Sequence, residues 1–233
     1  MDELVLVWLR SEWERIPAPL PPDRQLIDES DLNDPAQNAA RAELLHRDRA
    51  KILDELPDSF EAHLVDIEKD DLPKVYIVPT SDWYLDTGRT FGVVETATHL
   101  RPGRGYRLPM GTVAIEHHKR VDEIAPSFTD YDATTTDELL ILIASDLAGP
   151  YTIIDGTHRA AALYRHNLTA PNTPWRAILA VADEMASSMW HIESTQAQGN
   201  IRSVEQAVTH GLTGNNHSMA GSNQPPRAAW PPG

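Results

Sequence analysis

Tyr151-Thr152-Ile153-Ile154-Asp155-Gly156-Thr157-His158-Arg159-Ala160-Ala161-Ala162-Leu163 decides how this chain folds. Residues 151–154 are apolar or β-branched and predict a short strand. Asp155-Gly156-Thr157 predicts a tight turn. From His158 to about His166 a helix is expected, and its three early alanines let it lie close on a sheet. Residues 175–181 (WRAILAV) predict the next strand. Strand, helix and strand in this order belong to an α/β protein.

The turn has chemistry of its own. A strand that feeds directly into a helix leaves the first helical N–H groups without internal partners, and these groups and the helix dipole favour an anion. Gly156 permits a backbone approach that a side chain would block. Thr157 offers a hydroxyl, and His158 and Arg159 add donors, the arginine being suited to bidentate phosphate contact. Asp155, at the carboxyl end of the strand, is a candidate for a metal ion or a ribose hydroxyl. Asp-Gly is also an ordinary turn, and Asp or Thr an ordinary helix cap, so spacing alone leaves a structural turn and an anion site both open.

The run from Ile153 to Leu163 resembles the apolar-apolar-D-G-x-H-R-x-x-A signature of the ParB/sulfiredoxin-like superfamily. Residues 135–147 and Gly149-Pro150 fit its lead-in, and the resemblance covers residues 113–182. It implies an α+β fold, a mixed sheet with flanking helices, in which the turn and the His-Arg pair hold nucleotide phosphates. Sulfiredoxins carry a Gly-Cys-His-Arg core, and this chain has no cysteine, which excludes their sulfinic-acid chemistry. ParB partition proteins carry a second arginine-rich box and a basic helix-turn-helix, and neither is found here. The ParB-like free-serine kinases read Asp-Gly-His-His-Arg and are nearest, with Thr157 replacing their first histidine. Their catalytic acid comes from an earlier strand or loop. Glu95 in FGVVET matches best by position, with Asp86 and Glu116 as rivals.

Composition sets the outer limits. The 233 residues suit one domain with extensions, and 41% hydrophobic residues suffice for a core. Twenty basic against 35 acidic residues give a net charge of −15, which disfavours binding to nucleic acid. The absence of cysteine also excludes disulfides and thiolate metal sites, and it fits a cytoplasmic location. Asp2 and Glu3 stand where a signal peptide needs basic residues, and the apolar runs fall short of the ~20 residues that cross a bilayer, so no membrane is expected.

Elsewhere the patterns are local. Residues 4–9 (LVLVWL) predict a strand or a helical turn, and residues 17–35, with five prolines, an extended connector. Asp34 as N-cap and Pro35 at the first position open a helix with Leu44, Leu45, Ile52, Leu53 and Leu56 on its apolar face, Arg41 on its polar face and Pro57 as its stop. Strands are predicted at 62–67, 74–78, 91–96 and 113–115. Thr135 and Glu138 form a capping box that predicts a helix to about Leu147. Arg101, Arg104 and Arg107 make one basic cluster in a loop. His117 and His118, as neighbours, point apart and read as a surface pair rather than as two ligands of one ion. His191 beside Trp190 reads as packing. The expected organisation is an N-terminal helical extension over 1–60, the α/β domain over 61–196, and a mostly disordered tail over 197–233 in which 204–209 is the one helical stretch.

The expected function is a nucleotide-dependent phosphotransferase acting on a small hydroxyl-bearing substrate. ATP or ADP would rest on Gly156, Thr157, His158 and Arg159, Asp155 would hold Mg²⁺ or the substrate hydroxyl, and Glu95 would be the base, with His158 beside it. The alternative is a non-enzymatic ParB-like module associated with nucleotide or DNA.

Overall fold

Residues 4–9 are apolar without a break, and in the computed structural model they lie in a helix, α1 (Asp2–Glu12), that buries Leu4 through Leu9. The structure describes residues 1–12, 21–80, 83, 90–100, 111–130, 139–167 and 175–214. Residues 17–20 of the expected connector lie outside these, and its remainder contains a helix, α2 (Pro21–Asp28), for which proline at the first positions is favoured. Helix α3 (Pro35–Leu53) begins as its sequence predicts. Asp34 accepts from the N–H groups of Ala36 (2.9 Å) and Gln37 (3.3 Å). It ends before Pro57, and Leu56 is buried just beyond it. Arg41 belongs to the interior rather than the polar face. It is fully buried and donates to the carbonyls of Leu26 and Asp31, both at 3.0 Å, and so fastens α2 and the following turn to α3.

Among the described residues five strands form one sheet: β1 (Glu61–Ile67), β2 (Val75–Ile77), β3 (Leu140–Ala144), β4 (Tyr151–Asp155) and β5 (Trp175–Val181), in the order β1-β5-β3-β4-β2. The β1–β5 and β3–β4 pairs are antiparallel, and the β3–β5 and β2–β4 pairs parallel, so the sheet is mixed and the protein α+β. Between the strands lie α4 (Val93–His99), α5 (Gly111–Ile124) and α6 (Thr157–Asn167), and α7 (Thr195–Gly214) follows them.

Besides α2, three elements differ in type from the sequence expectation. The predicted helix ending near Leu147 is β3 in its described part. All five residues of β3 are buried, as a central strand covered on both faces requires, and the run holds no polar residue to give a helix its outer face. The capping-box residues 135–138 lie outside the described residues. The predicted strand at 91–96 is the start of α4. Val93, Thr96, Ala97 and Leu100 are buried at helical spacing, and Thr96 and Thr98 return their hydroxyls to the carbonyls of Gly92 and Val94. The predicted strand at 113–115 lies inside α5, whose Val121 and Ile124 continue a helical period from His117.

Alternation along the strands separates two cores. Leu140, Leu142, Ile153, Ala177 and Leu179 face one cluster with Phe91, Val93, Val121 and the alanines of α6. Ile141, Ile143, Ile154 and Ile178 face another, with Leu4, Trp8, Leu9, Leu44 and Leu45 of the N-terminal helices. Helices therefore cover both faces, and residues 1–60 supply one of the layers. His191 is buried as packing predicts. Burial pushes its imidazole below the usual histidine range, opposed by Glu193, the Pro150 carbonyl and Asp146. Helix α7 (Thr195–Gly214) extends well beyond the one helical stretch, 204–209, expected within the tail over 197–233, and residues 215–233 lie outside the described residues. No helix among the described residues is long and apolar enough to cross a membrane.

Candidate functional site at the β4–α6 turn

The turn is where its sequence puts it. Strand β4 ends at Asp155, Gly156 has a φ of +90°, and the Gly156 carbonyl accepts the first helical hydrogen bond from Ala160 N–H at 2.8 Å. Gly156 thus occupies the capping position and Thr157 is the first helical residue. A methyl group on Gly156 would lie 2.6 Å from Leu140 Cδ2 and 3.1 Å from Arg159 Nη2. Only glycine meets both the left-handed backbone and this close approach. The second distance also locates the Arg159 guanidinium, which curls back over the start of its own helix.

Asp155 fixes it there. Its Oδ2 accepts from Arg159 Nη2 at 3.0 Å, one helical turn along, and Asp155 is 8% exposed. The same oxygen lies 3.0 Å from Ser11 Oγ on α1, and that hydroxyl also lies 2.8 Å from the Trp8 carbonyl, so one proton serves two acceptors. Asp155 therefore ties α6 and α1 together at the end of the strand. Its charge is met by the Arg159 guanidinium, and among the described residues no group of three or more His, Cys, Asp or Glu converges on a point.

His158, the second residue of α6, meets a partner that the sequence reading set on the surface. His117 Nδ1 lies 2.8 Å from His158 Nε2, across 41 residues. The Trp83 ring stacks on His117 at 3.9 Å and 27°, and tilts against His158 at 4.9 Å. His117 is thus half-buried between α5 and α6, while its neighbour His118 pairs with Asp122 at 2.8 Å. Arg165 of α6 pairs with Asp122 and donates to the Leu100 carbonyl at 2.8 Å, which holds α5 and the end of α4 against α6. The sequence signal for His117 was its spacing: His117, Val121 and Ile124 share one helical face.

Glu95 stands elsewhere in its own helix. It is the third residue of α4, exposed, and its carboxylate folds back over Gly92, where an added Cβ would lie 2.1 Å from Oε2. No hydrogen bond or ion pair joins Glu95 to the turn among the described residues. Asp86 and the Arg101, Arg104 and Arg107 cluster lie outside the described residues, and Glu116 falls on α5 beside His117.

The fold and the turn define a class: an α+β protein whose five-stranded mixed sheet presents a strand-to-helix turn lined by an Asp–Arg pair and a His–His pair. No family model, curated protein or solved structure matches the chain.

Proposed function

We propose that the chain is a nucleotide-dependent phosphotransferase of the ParB/sulfiredoxin-like kind, moving a phosphoryl group from ATP or ADP to a small hydroxyl-bearing molecule. The position of the Arg159 guanidinium carries this reading. It lies over Gly156, so a fixed cation and the N–H groups of the first turn of α6 serve the same spot. The side chain is one-fifth exposed, and Asp155 engages only part of a five-donor fork, which leaves donors for phosphate oxygens. Phosphoryl transfer asks mainly for positioning and neutralised charge, and this turn offers both. Mg²⁺ would arrive on the nucleotide, and Asp155 serves as the group that aims Arg159.

Thermal unfolding with ATP or ADP and Mg²⁺ tests the reading. At about 100 times Kd a ligand adds about 2.7 kcal/mol, which for a chain of this size raises Tm by roughly 5–10 °C. The wild type should show such a rise and Arg159→Ala should abolish it; no rise with any common nucleotide refutes the reading. One observation favours the second reading, a non-enzymatic module associated with nucleotide or DNA: Ser11 links the turn to the N-terminal layer, as a switch would require. A Tm rise without consumption of nucleotide across a panel of hydroxyl compounds would select that module.

A further inference from the structure

We infer that the chain phosphorylates itself on Ser11. The inference rests on the phosphotransferase reading and names a hydroxyl that the turn already holds. Ser11 Oγ lies 3.0 Å from Asp155 Oδ2, and Arg159 Nη2 lies 3.0 Å from that same oxygen, so the hydroxyl and the guanidinium are no farther apart than twice that distance. An acceptor hydroxyl, a carboxylate to take its proton and a cation for the phosphate thus meet at one atom, and phosphoryl transfer to a hydroxyl calls for these three groups.

The hydroxyl has two acceptors in reach, the Trp8 carbonyl at 2.8 Å and the Asp155 carboxylate, and rotation about its Cβ–Oγ bond turns its one hydrogen from the first to the second. The Ser11 oxygen then bonds to the terminal phosphorus of ATP while its proton passes to Asp155 Oδ2. The bond from that phosphorus to its bridging oxygen breaks, and the electron pair leaves with ADP. Arg159 stands in reach of the new phosphate, with donors that Asp155 does not use. Ser11 sits in the last turn of α1 and is only half-buried, so a nucleotide on the turn can meet it. Thr157, the other hydroxyl of the turn, is buried, and among the described residues no carboxylate is hydrogen-bonded to it.

Incubation of the full-length protein with ATP and Mg²⁺, followed by intact mass and peptide mapping, tests the inference. The wild type should gain one phosphate, on Ser11. The fraction marked in a given time should stay the same when the protein is diluted at constant ATP, because the turn and its acceptor share a chain. Ser11→Ala should lose the mark, and Ser11→Thr, which keeps a hydroxyl, should retain it. Thermal unfolding checks that both variants fold. Phosphate on Thr157 or another residue with Ser11 unmarked, a fraction that falls on dilution, or transfer to an added hydroxyl compound with Ser11 unmarked would each overturn the inference while the phosphotransferase reading stands. Absence of transfer both to Ser11 and to every added hydroxyl compound would overturn both.

Discussion

On one face of the sheet the covering helix brings alanines, and on the other the covering helices bring leucines and a tryptophan. Ala160, Ala161 and Ala162 are all fully buried, so α6 rests close on the strands and its first turn lies at the end of β4. Leu4, Trp8, Leu9, Leu44 and Leu45 fill the other side with bulk. On the first face only α6 approaches through small residues, and Phe91, Val93, Leu100 and Val121 of its neighbours supply the bulk. The sequence reading separated residues 1–60 as an extension, yet the sheet needs them, because Ile141, Ile143, Ile154 and Ile178 have their cover there.

Deleting residues 1–60 should have the largest effect. It uncovers four isoleucines, each contributing about 1.5–3 kcal/mol when buried, against a total stability of about 5–15 kcal/mol. The shortened chain should show no cooperative transition in urea, followed by circular dichroism. A sharp transition in that chain would make the two faces independent and end the comparison.

Gly156→Ala should come next, at about 1–3 kcal/mol of destabilisation measured in urea, because the new methyl meets Leu140 and the backbone stays left-handed. Gly199→Ala, in α7 with nothing within 4 Å of the new methyl, is the matched control and should instead stabilise by about 0.5–1 kcal/mol. Equal effects at both glycines would show that close packing at the turn counts for nothing.

The smallest effect concerns His191. Its imidazole is depressed in the folded protein, so the unfolded chain binds the proton first as pH falls. The contribution of neutral His191 is complete above the ordinary value of 6.5 and is lost as pH drops below it toward the folded value. His191→Gln should flatten the decline in urea stability between about pH 7 and pH 5. An unchanged slope would mean that burial at this position leaves the imidazole unshifted.

Legibility followed the range of the forces involved. The β4–α6 turn, the N-cap at Asp34 and strands β1, β2, β4 and β5 are specified by neighbours in sequence, and their residue types announced them. Helix α4 and strand β3 were misread because tertiary cover decides them. Val93, Val94 and Thr96 have weak helix propensity and are carried by their buried face, while β3 has one side chain type throughout and hence no period to read. The same limit hid part of the site. Asp155, Gly156 and Arg159 stand in one run of sequence, whereas Ser11, Trp83 and His117 reach it from three other segments, and no local pattern joins them.

Asp155 Oδ2 works as a clasp with two arms, one on Arg159 and one on Ser11, 144 residues earlier in the chain. An anion that draws the guanidinium outward unloads one arm and leaves the carboxylate leaning on the serine. The first helix would thus register the arrival of a phosphate at the opposite layer, and an amide-exchange measurement on residues 8–12 would report how full the turn is.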